Sequence, residues 1–474
     1  MKKAFWRPFL IFAIAALFII VFGNIIPAWD NEVFPLKKID IVQKFVSSFQ
    51  PSPVDSLKQR VERMEIDNEL EPLRSFLDSL NMLRKNNGNV RIAYYGDSII
   101  EGDLISGKLR DRLQEKYGGS GVGLVGITSI VSDFRWTVRH RFSRNWETLS
   151  FAKRGSKKHP LGMIGYTYIP RNYYYAKTVV EREETVLPDS LYADSTKVEV
   201  PTPKTTEINQ RIWVDGPAWV EYSAMDSPGG SADFRRIRLF YGQASQSSSV
   251  RVSIDGGKFI DHNLQSGKGI QVLDLSPAEP AQKIRLEFDA SNPLHVYGVS
   301  FDDTTGVYVD NLAVRGYTGM YFNAIPQENL RGFQEQLGYD LLILQYGMNV
   351  SRPHLRDFSG YEDAMGRSIE HIRSALPEVP IILLSVHDRS VKIEGKLQTS
   401  PDIPILVETQ SRLADSTGCA FWNIFESMGG VNSMLAYAEA DPRLANLDYT
   451  HFTLEGANKI AEYLYKVITT GKTD

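Results

Sequence analysis

Apolar and polar residues follow two different patterns along this chain, and each pattern predicts a different kind of folded region. The apolar run at residues 90–95 predicts a buried strand, and a helix-like stretch at residues 104–117 follows it. After residue 316, strand-like runs at 341–346, 381–386 and 420–424 alternate with helix-like stretches at 361–376, 405–416 and 454–468. Strands that alternate with helices indicate an α/β domain, in which a parallel sheet forms the middle of three layers.

Residues 133–310 show a different pattern, in which short runs of alternating apolar and polar residues are separated by turn signals. Runs at 210–214, 236–241, 249–254 and 284–288, with an Asp255-Gly256 turn, predict an antiparallel β-sandwich. Because α/β patterns lie on both sides, the sandwich is predicted to be inserted into the α/β domain. Its aromatic residues could stack on sugar rings or belong to the sandwich core; they are Tyr173, Tyr174, Tyr175, Trp213, Trp219 and Tyr222.

The N-terminus carries an apolar stretch at residues 9–22, preceded by Lys2, Lys3 and Arg7. Its length suits a signal-peptide core, but apolar character extends to Trp29 and no small-x-small cleavage site follows. We therefore predict an uncleaved transmembrane anchor at residues 1–29, with the rest of the chain outside the cytoplasm, which would be the periplasm if the cell is Gram-negative.

The remaining patterns give predicted boundaries for the rest of the chain. Residues 30–53 are predicted to be a tether, and 54–132 to hold N-terminal helices, interrupted near Pro72, and the first part of the α/β domain. Residues 133–310 form the predicted insertion, and 311–474 the second part of the α/β domain.

The charge and the cysteine content of the chain argue against several classes of function. The formal net charge of −4 gives no electrostatic case for binding nucleic acid. The single cysteine, Cys419, excludes an intrachain disulfide and a cysteine-based zinc cluster.

Four short segments could together make an acyl-transfer site. Ser98 of Gly96-Asp97-Ser98 follows the first predicted strand, at a turn before a helix, where its hydroxyl would be exposed near helix-terminal amides. Asp448 precedes His451 by three positions, a spacing that lets the carboxylate orient the imidazole toward a hydroxyl. Asn349 follows another predicted strand, and the turn at residues 315–319 could offer a backbone N–H, so both could stabilise an oxyanion. Taken alone, each segment could instead be an ordinary turn or loop with no role in catalysis.

With these segments the chain resembles the SGNH, or GDSL-type, hydrolases. Gly96-Asp97-Ser98 matches the first block of that family, Gly316 to Gly319 the second, Gly347 to Asn349 the third, and Asp448 to His451 the fifth. The resemblance implies a flavodoxin-like three-layer fold with Ser98 as nucleophile, His451 as base and Asp448 as its orienting acid. It further implies an oxyanion hole from the Ser98 and Gly319 N–H groups and the Asn349 amide, with no metal or organic cofactor.

The chain also departs from the family pattern. Val350 stands where an acidic residue often follows the third-block asparagine, Ile99 stands where lipase-like members have leucine, and Arg315 lies near the place of the second-block asparagine. Val350 therefore predicts that a supporting hydrogen bond is missing. His387, after a predicted strand, is a candidate for the substrate cleft together with Asp97 and Gly316, the alternative for His387 being an ordinary polar loop residue.

An anchor, an SGNH core and an inserted carbohydrate-binding-like sandwich are similar to the architecture of bacterial peptidoglycan O-acetylesterases and O-acetyltransferases. The function expected by analogy is a serine esterase that removes O-acetyl or similar small acyl groups from a cell-envelope or extracellular polysaccharide. Transfer of the acyl group to a glycan hydroxyl, or an inactive wall-binding protein, are the alternatives.

Overall fold

The computed structural model describes residues 71–83, 88–151, 159–182 and 204–472. The predicted anchor at 1–29 and tether at 30–53 lie outside these ranges. Within them, no helix combines the length and the apolar character needed to cross a bilayer.

Helices α1 to α8 are, in chain order, Arg74–Leu83, Leu104–Tyr117, Gln327–Leu337, Ser359–Ala375, Ile403–Thr417, Ile424–Ser427, Ser433–Glu439 and Leu454–Thr470. Strands β1 to β10 are Asn89–Gly96, Gly123–Val125, Val138–Phe142, Trp146–Ser150, Tyr166–Pro170, Tyr173–Arg182, Lys204–Trp213, Ala218–Ala224, Arg236–Gly242 and Ser249–Ile254. Strands β11 to β20 are Ile260–Asn263, Gln271–Asp274, Lys283–Phe288, His295–Asp302, Gly306–Ala313, Leu341–Gln345, Ile381–Leu384, Ser390–Ile393, Lys396–Thr399 and Ala420–Trp422.

A five-stranded parallel sheet in the order β15-β1-β16-β17-β20 forms the centre of the α/β region. Apolar side chains of α1, α2 and α8 form one core with its strands. The predicted parallel sheet is therefore confirmed. The strand β15 spans residue 310, the predicted end of the insertion.

Two antiparallel sheets occupy the chain between β1 and β15. One has the order β11-β10-β13-β8-β3, and the other has β12-β9-β14-β5-β4, with β2 also paired to β14. Apolar side chains from both sheets meet in a second core. Alternation of buried and exposed residues, as along β13, is what a sheet with one face on a core requires. The strands β6 and β7 form a separate two-stranded hairpin.

A buried ion network joins the parallel sheet to the antiparallel sheets. Arg91 of β1 is 2% exposed and donates to Asp310 of β15 at 2.8 Å and to Asp302 of β14 at 3.0 Å. Asp302 also accepts from Arg238 of β9 at 2.7 Å, and Asp310 from the Tyr339 hydroxyl at 2.6 Å. Each buried charge thus has an opposite charge or a hydrogen bond beside it, as burial requires.

Candidate active site

Ser98 lies just beyond the carboxyl end of β1, the second of the five parallel strands, and is partly exposed. At this end of the sheet the backbone is closely packed: the Val314 N–H donates to the Gly96 carbonyl at 2.9 Å, and a Cβ on Gly96 would lie 2.8 Å from Ile100. Turns at residues 98–102 follow, and α2 begins at Leu104, as predicted, behind Asp103 in a left-handed conformation.

His451 completes a hydrogen-bonded chain from Ser98 to Asp448. Its Nε2 lies 3.1 Å from the Ser98 Oγ, and its Nδ1 lies 2.7 Å from the Asp448 Oδ2. The other carboxylate oxygen of Asp448 accepts from the backbone N–H groups of Thr450 and His451, both at 3.0 Å. Burial alone would raise the pKa of Asp448, but the hydrogen bonds from His451 outweigh it and hold that pKa below its ordinary value. An ionised Asp448 leaves the Nε2 of a neutral imidazole free to accept the hydroxyl proton.

Hydrogen bonds within the loop and from His387 hold the loop that carries Asp448 and His451. Tyr449 adopts a left-handed conformation with φ of 53°, and the Asn446 N–H donates to the His451 carbonyl at 2.8 Å. Beneath the loop, the His387 Nε2 lies 2.8 Å from the Thr450 carbonyl. His387 is only 1% exposed, and burial lowers its pKa to about 4, so it is a neutral support under the loop and does not face a cleft.

Gly319 brings a backbone N–H toward the same edge of the sheet. Its φ is +81°, and a Cβ there would lie 2.7 Å from the Met365 Sδ and 2.8 Å from the Tyr346 ring. Both the conformation and the space therefore require glycine. Within the described ranges, the backbone N–H groups of Ser98 and Gly319 have no hydrogen-bond partner. Gly316 is exposed at the start of this turn.

Asn349 is held by the residue next to the nucleophile. Its Nδ2 donates to the Asp97 Oδ2 at 2.7 Å and to the Tyr317 carbonyl at 3.0 Å. The supporting hydrogen bond predicted to be missing because of Val350 is thus supplied by Asp97. Asp97 is buried and also accepts from the Ile99 N–H at 3.0 Å, so it acts on Asn349 from below and does not line a cleft.

Two contacts around the candidate site were not predicted from the sequence. Arg315, just before the second block, donates to Glu101 at 2.6 Å, and Glu101 lies three residues after Ser98. The β-rich region supplies the other contact: Phe151 stacks on Tyr317 with ring centroids 4.2 Å apart. Burial and then the Glu101 carboxylate raise the pKa of Tyr166, also from that region, to about 12. Glu101 could have been identified from the sequence, because it lies only three residues after Ser98. No local sequence pattern connects residues 151 and 166 to residue 317.

A parallel sheet with Gly96-Asp97-Ser98 and Asn349 at its carboxyl edge, facing His451, is the arrangement of the SGNH or GDSL-type hydrolases, which this chain resembles. Among them it resembles the peptidoglycan O-acetylesterases. A structure of a peptidoglycan O-acetylesterase in action superposes with a TM-score of 0.61 at 20% identity, covering 84% of this chain and 95% of its own.

Two further solved structures match less closely. A family two carbohydrate esterase from Cellvibrio japonicus covers 54% of this chain and 90% of its own, at 11% identity and a TM-score of 0.24. A GDSL-like lipase from Parabacteroides merdae covers 35% of this chain and 74% of its own, at 15% identity and a TM-score of 0.28. Of these three, the first alone superposes closely enough to establish a shared fold. No protein-family model and no curated protein sequence matches this chain significantly.

Replacement of Gly319 by alanine is expected to lower kcat/KM for an acetyl ester by about 10²- to 10³-fold, the typical effect of one lost oxyanion donor. The new Cβ would push against Met365 and Tyr346 and move the N–H away from the ester oxygen. The control is Gly316→Ala, because Gly316 also has a positive φ, of +72°, but an added Cβ meets nothing within 4 Å. Steady-state kinetics of the two variants should differ by at least about tenfold; equal losses would contradict a role for the Gly319 N–H.

Asp97 is expected to make stability depend on pH between about 4 and 6. Burial raises its pKa from 3.8 to about 6, so in this range the folded chain holds a proton that the unfolded chain has lost. The contribution of Asp97 to stability therefore falls as pH rises through the window, by about 3 kcal/mol for a shift of about two pKa units. Urea unfolding of the native chain and of Asp97→Asn at pH 4 and pH 7 measures this. If the free energies of unfolding of the two proteins differed by the same amount at pH 4 and at pH 7, Asp97 would have an ordinary pKa.

Proposed function

We propose that this protein is a serine esterase of the SGNH type that removes O-acetyl or similar small acyl groups from a cell-envelope or extracellular polysaccharide. The observation that carries the proposal is the hydrogen-bonded chain from the Ser98 Oγ through His451 to Asp448, at the carboxyl edge of a parallel sheet. Ligand sites of parallel α/β sheets form at this edge.

In the proposed reaction, the His451 Nε2 takes the proton of Ser98 while the Ser98 Oγ attacks the ester carbonyl. The carbonyl oxygen becomes an oxyanion that accepts from the N–H groups of Ser98 and Gly319. The Asn349 amide joins them by turning one of its two hydrogens from the Tyr317 carbonyl to the oxyanion, while the other stays with Asp97. Collapse of this intermediate breaks the bond to the sugar oxygen, which leaves with the proton from His451, and an acyl-serine remains. Water, deprotonated by His451, then releases the acyl group as a carboxylic acid.

The polysaccharide substrate is proposed from two supporting facts. The protein shares its fold with a peptidoglycan O-acetylesterase over 84% of this chain, which takes in the antiparallel sheets as well as the parallel sheet. The β-rich region also contributes Phe151, which stacks on Tyr317, and the Tyr317 carbonyl accepts from the Asn349 amide; this contact supports a role of that region in substrate binding. In full, we propose a three-layer SGNH core, an inserted sandwich, and an N-terminal anchor that holds both outside the cytoplasm.

The proposal is tested with a fluorophosphonate probe that reacts with activated serines, followed by mapping of the labelled peptide. Labelling is expected at Ser98 in the native chain and is expected to be lost in His451→Ala, because the base is needed to activate the hydroxyl. Labelling that persists without His451, or that maps to another serine, would contradict the site.

Comparison of acetate release with formation of acetylated oligosaccharide from one acyl donor then separates hydrolysis from transfer. Sedimentation of the full chain with membranes from the producing cell, compared with a chain that lacks residues 2–29, tests the anchor.

A further inference from the structure

The loop that follows Asn349 exposes two arginines at the carboxyl edge of the parallel sheet. Arg352 and Arg356 are exposed, and the Leu355 N–H donates to the Arg352 carbonyl at 2.9 Å, which closes a turn between them. The Arg352 Nη1 donates to the Ser351 carbonyl at 2.6 Å and lies 3.4 Å from the Asn349 carbonyl oxygen. The Arg352 guanidinium therefore lies beside the residue whose amide is a candidate oxyanion donor.

A third arginine reaches the same loop from the neighbouring strand of the sheet. Arg389 lies after β17 and is partly buried, and its Nη1 lies 3.5 Å from the Ser351 Oγ. The next residue, Ser390, donates its backbone N–H to the Tyr449 carbonyl at 3.2 Å, in the loop that carries His451. The Arg389 backbone is thus next to the loop of the candidate base, while its guanidinium contacts Ser351.

The three guanidinium groups share one unoccupied edge. Their hydrogen bonds in the described part of the chain all use Nη1 and all go to uncharged oxygens, those of Arg356 to the Pro353 and Leu355 carbonyls. The Nε and Nη2 groups of Arg352, Arg356 and Arg389 have no acceptor among the described residues. We call these three side chains the arginine cluster.

The acidic side chains near the arginine cluster do not occupy this edge. Asp402 is buried under the loop and accepts from the Arg352 backbone N–H at 2.7 Å. Asp388 is also buried and accepts from the Arg389 backbone N–H at 2.8 Å. Asp357 is exposed and accepts from the first backbone N–H of α4 at 2.8 Å. These carboxylates offset the positive charge of the cluster and hold its backbone, but they leave each Nε and Nη2 to a ligand.

The geometry of the unoccupied edge selects a class of ligand. Nε and Nη2 present two parallel N–H groups, which match two oxygens of one carboxylate or phosphate group. Arg315, on the other side of Ser98, differs because its Nε already donates to Glu101. Partial burial of Arg389 strengthens the selection, since a charge that is withdrawn from water is stable only beside a partner of opposite charge.

We infer that the arginine cluster Arg352, Arg356 and Arg389 is a subsite for an anionic group of the glycan, a carboxylate or a phosphate, so that the substrate is an acidic polysaccharide. The inference rests on the proposed esterase function, because the cluster lies beside Asn349 and the His451 loop. It names the class of polysaccharide that this site accepts.

The experiment uses the full chain with Ser98→Ala, so that binding is measured without turnover. Two matched pairs of probes differ only in charge: pentagalacturonate with its uncharged methyl ester, and mannopentaose phosphate with mannopentaose. Titration calorimetry is the readout. One anionic probe is expected to bind at least about tenfold more tightly than its uncharged counterpart, and salt should reduce this difference because it screens the exposed charges.

Variants in the same background assign the preference to the cluster. Arg352→Gln and Arg389→Gln are each expected to weaken binding of the anionic probe by about tenfold, as for the loss of a hydrogen bond to a charged group. Arg389→Lys retains the charge at the partly buried position but lacks the paired N–H groups, so it should also bind more weakly. Arg331→Gln is the matched control, because Arg331 is an exposed arginine on α3 that bonds weakly to Gln327, at 3.4 Å, and should leave binding unchanged.

Two outcomes overturn the inference: neither anionic probe binds more tightly than its uncharged counterpart, or the cluster variants bind the anionic probe as well as Arg331→Gln does. Which anionic probe binds identifies a carboxylate or a phosphate as the ligand group. Hydrolysis of 4-nitrophenyl acetate by the native chain is measured alongside. Hydrolysis without any preference for an anionic probe would remove the subsite and leave the proposed function in place. Anion binding at the cluster without hydrolysis would instead count against the esterase reaction.

Discussion

Replacement of Ser98 by alanine is expected to lower kcat for 4-nitrophenyl acetate by at least about 10⁴-fold, because removal of the nucleophile of a Ser-His-Asp site leaves only the residual effect of the oxyanion donors. The Ser98 Oγ has His451 as its hydrogen-bond partner, at 3.1 Å, and the side chain is partly exposed. Its loss should therefore cost little stability, and the thermal midpoint of the variant should stay near that of the native protein.

Two further variants make this test specific. The double variant with both Ser98→Ala and His451→Ala should be no slower than Ser98→Ala alone, since groups that act as one unit are strongly non-additive. Ser120→Ala is the matched control: Ser120 is also a partly buried serine outside helices and strands, but its hydroxyl bonds weakly, at 3.4 Å, to Asp303. If the Ser98 variant retained activity within tenfold of the control, a different nucleophile would have to be sought.

Replacement of Arg91 by methionine is expected to lower the free energy of unfolding by about 3–5 kcal/mol, the usual cost of removing one partner from a buried ion pair. Arg91 donates to Asp310 through both Nε and Nη2, to Asp302 through Nη1 and to Ser300 through Nη2. Methionine fills much of the same volume, so the loss reports mainly on the carboxylate of Asp310, because Asp302 keeps its ion pair with Arg238.

Urea unfolding measures this difference, with Arg112→Met as the control. Arg112 also has two acidic partners, Glu115 and Glu462, but its side chain is 34% exposed. A solvated pair of this kind contributes about 0–1 kcal/mol. If both variants lost a similar, small amount, the buried network would not be a main contributor to stability.

The central sheet could be predicted from the sequence because its strands are buried on both faces and so form continuous apolar runs. The burial of every residue of β16 and β17 is the physical basis of that pattern. Helix α8 was predicted from Leu454, where the structure begins it, since the Thr453 side chain accepts from the Gly456 N–H and caps the helix.

The pairing of Asp448 with His451 was predictable because a short spacing fixes its geometry. Asp448 and His451 lie three residues apart in one turn, so their contact does not depend on the rest of the fold. The roles of Asp97 and His387 were not predictable in this way. Asp97 reaches Asn349 across 252 positions, and His387 reaches Thr450 across 63. A contact of that separation depends on sheet order, which local periodicity does not contain.

The buried network also has a consequence for protein engineering. The chain leaves the antiparallel sheets at Asp302 and enters the parallel sheet at Gly306, and Asp302 itself pairs with Arg91. A module grafted in place of residues between β1 and β15 would delete this partner and leave the buried Arg91 guanidinium with Asp310 alone of its two carboxylate partners. Chimeras of this architecture should therefore be designed with the exchange points inside the module, so that Arg91, Arg238 and Asp302 travel together with the host sheet.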